Sequence, residues 1–107
     1  MSKKPKDVFT LLVEVGRAPG DGLPDGSTGA ALICYSSGVD EAEAVREAVA
    51  VLKVAELATL EVSSYGTKTE RLAEGHDLSD EDIALMDQAA EENAVIVVEV
   101  TPFFDDP

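Results

Sequence analysis

Between Asp40 and Tyr65 the spacing of apolar positions changes from helical to extended, and the rest of the chain can be read around that change. Val45, Ala48, Val49, Leu52 and Ala55 recur on one stripe at helical spacing. Asp40 stands where a side chain accepts from the free amides that open a helix, and Glu43, three residues on, completes a capping box. By Thr59 the period is two: Leu60, Val62 and Ser64 alternate with Glu61, Ser63 and Tyr65, so a strand folds back along the helix. Upstream, Phe9, Leu11, Val13 and Val15 alternate with Val8, Thr10, Leu12 and Glu14, which predicts a strand with one wholly apolar face. Ala30 to Tyr35 (AALICY) reads as a second strand, and its small residues Ala30, Ala31 and Cys34 imply a close-packed neighbour.

Ser79, with Asp82 in the reciprocal position, opens a second helix whose buried stripe is Ile83, Met86, Ala89 and Ala90 and whose left-handed stop is Asn93. Ala94 to Val100 (AVIVVEV) is the most strand-like run, and Pro102 ends its regular pairing. Two stretches are less regular. Gly16 to Gly29 holds five of the eight glycines and reads as a wide hairpin connection or a flap. Thr67 to Leu72 alternates weakly, which suggests a short edge strand paired back on its predecessor.

This order predicts the α+β class: a two-layer sandwich with a ferredoxin-like antiparallel sheet, two helices on one face and an extra N-terminal strand. Residues 1–7 read as an unstructured basic lead-in, 8–104 as a single domain and 105–107 as a frayed acidic end. The first and last strands are apolar on both faces, and two helices on one side leave the other side bare. The expected remedy is a homodimer that buries the open sheet face against a second copy.

Charge narrows the range of partners. Twenty-two acidic residues oppose eight basic ones, for a net charge of −14. Such a field repels phosphate backbones and anionic lipid, so no nucleic-acid or membrane partner is expected. No apolar run reaches the length of a membrane span, and no apolar segment with a cleavage site follows the basic start, which makes a bacterial-type cytoplasm the expected location. The single cysteine cannot form an internal disulfide, leaving packing to hold the fold.

Candidate chemistry is sparse. The turn Cys34, Tyr35, Ser36, Ser37, Gly38 precedes a helix and offers amides and two hydroxyls to an anion, although the same residues serve equally as caps and core. The glycine-rich loop matches neither a P-loop nor a dinucleotide fingerprint, and Asp21 and Asp25 lack calcium-loop spacing, but Arg17 can pair with an anion beneath such a flap. The one histidine, His76, lies among Asp77, Asp80, Glu81 and Asp82 without a second histidine, so no metal site is assigned. Tyr65, Lys68 and Arg71 can line a polar rim with Tyr35 between sheet and helices.

The ligand-binding candidates are therefore Arg17, Tyr35, Ser36, Ser37, Tyr65 and Arg71. No catalytic set, cofactor or metal is indicated. The reading that follows is a small dimeric, non-enzymatic ligand-binding or regulatory module. Two alternatives stand beside it. One is a cofactor-free isomerase or oxygenase of the dimeric α+β barrel kind, built on Tyr35, Tyr65, Arg17 and Cys34 or His76. The other is an acidic adaptor for a basic protein.

Overall fold

A computed structural model describes residues 6–75 and 78–104. The start at 1–5, the His76–Asp77 pair and the end at 105–107 lie outside the described residues. The elements are β1 (Asp7–Gly16), β2 (Ser27–Gly38), α1 (Glu41–Val54), β3 (Ala58–Thr67), α2 (Lys68–Ala73), α3 (Asp80–Glu92) and β4 (Val95–Phe104). The strands form one antiparallel sheet in the order β3-β1-β2-β4. The chain is thus α+β, as expected. None of its described helices is long and apolar enough to cross a membrane.

The β1–β2 hairpin is the centre of the sheet, with Val15 opposite Ala30 at one end and Asp7 opposite Gly38 at the other. Its connection, 17–26, is shorter than the glycine content suggested, because the strands continue into Gly16 and from Ser27. Gly29 has to be glycine: a Cβ there would meet the Val15 carbonyl oxygen at 2.4 Å. Asp40 caps α1 by accepting from the Glu43 amide, while Glu43 reaches back one residue further than expected, to the amide of Val39. In α3 the capping box between Ser79 and Asp82 is complete and Asn93 is left-handed, both as read from the sequence.

Alternation along the central hairpin divides the interior in two. Leu11 pairs with Cys34, Val13 with Leu32 and Val15 with Ala30, and this face packs against Ala44, Ala48 and Leu52 of α1. The small residues of β2 meet small residues of the helix there, and a Cβ on Gly38 would lie 2.8 Å from the Ala44 nitrogen. Val8 and Tyr35 point the other way and pack with Met86 and Ala89 of α3, flanked by Leu85, Ile96 and Val98.

Helices therefore cover both faces of the sheet, which corrects the expected two-layer sandwich with both helices on one side. The apolar character of both faces of β1 has its explanation here, since each face meets a different helix; on β4, Ile96 and Val98 pack with the α3 cluster and Val95 with the α1 cluster, while Val97 and Val100 stay exposed. The strand order also differs from the ferredoxin-like arrangement, since β1 and β2 pair directly as a hairpin at the sheet centre. The bare face invoked for dimerisation is accordingly occupied by α3 over Val8, Tyr35, Ile96 and Val98.

The segment expected as a short strand is helix α2. Thr67 accepts from the Glu70 amide and the Glu70 carboxylate accepts from the Thr67 amide, a full capping box. Helix α2 is held from both sides, by Arg71 donating to Thr10 Oγ1 at 2.8 Å and by the Lys68–Asp87 ion pair to α3.

Candidate functional site

Helices α2 and α3 leave a cleft above the sheet of about 500 Å³, a size suited to a small molecule. The sheet supplies Thr10, Ile33, Tyr35, Tyr65, Val98 and Glu99, and the helices supply Arg71, Glu81, Asp82 and Leu85. Thr10 and Tyr35 sit opposite each other on the central hairpin.

Strand irregularities occur on both sides of that pair. Between Phe9 and Leu11 the partner strand advances from Thr67 to Ser64, so that Tyr65 and Gly66 face the single residue Thr10. On the other side, Ile33 pairs with Glu99 and Cys34 with Val97, leaving Val98 as the extra residue. Such bulges bend a strand and re-aim its side chains, and here they sit where Tyr65, Val98 and Glu99 reach the cleft. Tyr65 stands at the rim, 54% exposed, whereas Tyr35 is only 4% exposed.

The polar groups at the base of the cleft, buried Thr10 and Tyr35 with the half-buried Arg71 and Asp82, are linked by hydrogen bonds. The Tyr35 hydroxyl donates to Asp82 Oδ1 at 3.2 Å, and Asp82 is the residue that completes the α3 capping box. Burial pushes the Tyr35 phenol above its ordinary pKa, and the Asp82 carboxylate adds to the shift while Arg71 opposes it. Asp82 is shifted down, chiefly by its hydrogen bonds with Ser79, with Tyr35 and Arg71 assisting. Tyr35 therefore remains a protonated donor near neutral pH, and Asp82 an acceptor.

Of the six candidates, Tyr35, Tyr65 and Arg71 come together in this cleft. The other three do not. Arg17 staples its own loop, donating to Asp21 at 2.9 Å and to the Ser27 carbonyl at 2.8 Å. It lies past the end of β1, in the hairpin connection, and is not among the residues lining the cleft. Asp21 is held at about 2 by amide hydrogen bonds from Ala18 and Leu23 and by Arg17. Ser36 is buried on the α1 side, its Oγ donating to the Ala44 carbonyl at 2.8 Å. Ser37, also buried, has no partner for its hydroxyl among the described residues.

Cys34 is fully buried among the residues facing α1, and burial pushes its thiol up to about 11. It is a core residue. Among the described residues no group of three or more His, Cys, Asp or Glu is placed to hold a metal ion, and His76 lies outside them.

Sequence reading missed Thr10, Asp82, Glu81 and Glu99 as cleft residues. For Thr10 a signal existed, since it is the one hydroxyl on β1 and stands within its apolar run from Val8 to Val13. Bulges leave no such mark, and without them the placement of Val98 and Glu99 together does not follow from alternation.

Residues 8–104 match the family described as "Domain of unknown function (DUF8846)". The chain belongs to this family. No curated protein and no solved structure matches the chain. The DUF8846 match runs from β1 into the last residue of β4, so every residue lining the cleft lies within it.

Proposed function

We propose that this DUF8846 protein is a non-enzymatic small-molecule binding or regulatory module whose ligand occupies the cleft between the sheet and helices α2 and α3. The observation that carries the reading is the cleft itself: it joins four strands and two helices at the level where both outer strands bulge. Bulges favour functional positions because they re-aim side chains at a local cost in pairing. Occupancy would bridge α2, α3 and the sheet, which gives a binding event a route to the position of a short helix.

The enzyme alternative has less support. Its proposed parts are dispersed, with Cys34 in the opposite core and Arg17 in the hairpin loop. Tyr35 is engaged as a donor to Asp82 rather than poised as a base.

The test is chemical-shift mapping with a fragment library on isotopically labelled protein. Saturable shifts clustered on the amides of Thr10, Tyr65, Arg71 and Asp82 are expected. Shifts scattered over the surface, or confined to the 17–26 loop, would reject the cleft as the site.

A second copy remains part of this reading, through a different surface. Strand β4 is an outer strand of ten residues that carries exposed Val97, Val100, Phe103 and Phe104, and such an edge is a template for pairing. Sedimentation equilibrium is expected to show a dimer at micromolar concentration that Val97→Lys with Val100→Lys dissociates. A wild-type monomer under those conditions removes the dimer and leaves the cleft.

A further inference from the structure

The lining of the cleft is uneven in charge. Among the described residues of the lining, Glu81, Asp82 and Glu99 stand against one cation, Arg71, in a protein whose net charge is −14. Arg71 is committed to the protein, donating to Thr10 and compensating the Tyr35–Asp82 pair. An incoming anion would have to compete for that guanidinium and approach through a negative field. Glu81 and Glu99, by contrast, are exposed at the cleft and form no salt bridge among the described residues.

The rest of the lining suits an apolar body. Ile33, Leu85 and Val98 offer hydrocarbon, and the half-exposed Tyr65 ring offers an aromatic face to a cation.

We propose that the cleft selects an organic cation, an amine or quaternary ammonium on an apolar body, over carboxylates and neutral isosteres. This rests on the binding reading above and adds the class of ligand. The ammonium meets Glu81 and Glu99, the apolar part lies on Ile33, Leu85 and Val98, and Tyr65 flanks the charge. Charge on the site rather than hydrogen-bond pattern makes the selection, so it weakens with salt.

Both tyrosines of the chain line the cleft and there is no tryptophan, so intrinsic fluorescence reports on this site alone. The experiment titrates the protein at low salt with benzyltrimethylammonium, benzyl alcohol and benzoate. Benzyltrimethylammonium is expected to give a saturable change at least about tenfold tighter than the other two. The Glu81→Gln, Glu99→Gln double variant, neutralised at two exposed positions and checked by circular dichroism, is expected to loosen it about fivefold or more, as is 0.5 M salt.

Benzoate or benzyl alcohol binding as tightly as the cation overturns the proposal while leaving the cleft as a binding site. Cation binding unchanged by the double variant overturns it equally. If none of the three probes gives a saturable response, the cation proposal falls, and the shift mapping described above decides the cleft separately.

Discussion

Ser36 and Ser37 are neighbours on β2, both buried, and alanine at each should move stability in opposite directions. Ser36 Oγ donates to the Ala44 carbonyl at 2.8 Å on the α1 side. Removing it forfeits one buried hydrogen bond, a net loss of about 1 kcal/mol, and the Ala44 carbonyl keeps its place within α1. Ser37 faces the other way, is 3% exposed, and its hydroxyl finds no partner among the described residues. A buried unpaired hydroxyl costs about 1–3 kcal/mol, against which the lost contacts of one oxygen count for a few tenths. Ser37→Ala should therefore stabilise by about 1 to 2 kcal/mol, separating the two variants by about 2 to 3 kcal/mol. With a urea m-value of about 1 kcal/mol/M for a chain of this size, their midpoints should differ by about 2 M or more, on either side of the wild type. Equal losses in both variants would show that Ser37 is satisfied, and the accounting of its hydroxyl would be wrong.

Asp21 ties stability to acid. Its folded pKa, about 2, lies below the ordinary 3.8, so its contribution is complete above about 4 and disappears as pH falls from there through about 2. Asp21→Asn should flatten that part of the pH–stability curve without altering it near neutrality; an unchanged acid limb would refute the staple. The net charge of −14 opposes compaction, and among the described residues the closest salt bridges are Lys68–Asp87 and Arg17–Asp21, against twenty-two acidic residues in the chain. Raising sodium chloride from about 0.05 M to about 1 M should therefore raise the thermal midpoint, and a fall would show that attractive pairs dominate. Cys34, fully buried with its thiol pushed up to about 11, should stay unreactive toward a thiol reagent at neutral pH until the protein unfolds. Stoichiometric labelling of native protein would contradict the packing against α1.

What could be read from the chain was the local chemistry. The Asp40 and Ser79 caps, the Asn93 stop and the strands around Leu11, Leu32 and Val62 depend on spacings of a few residues, and those spacings are visible. The Thr67–Glu70 box is equally visible, and it outweighs the weak alternation of Thr67 to Leu72 that suggests a strand. Which helix covers which face was not legible in the same way. Val8 and Leu11 are equally apolar, and only the register of β1 with β2 shows that they serve different helices. Of the site, Tyr35, Tyr65 and Arg71 are legible as a polar rim between sheet and helices, but Tyr35 and Tyr65 meet across β1 rather than on adjacent strands, and Arg71 arrives on helix α2. Ser36 and Ser37 precede a helix start, which favours hydroxyls, but strand β2 runs through both and turns each into the interior.

Because β1 and β2 send alternate side chains to opposite sides, the molecule contains two interiors separated by one thickness of backbone. Leu52 belongs to one and Met86 to the other, with no side chain common to both. Evolution or an engineer can therefore rebuild the filling beneath α1 while the wall of the cleft keeps its shape, and the protein can change how firmly it holds together without changing what it holds.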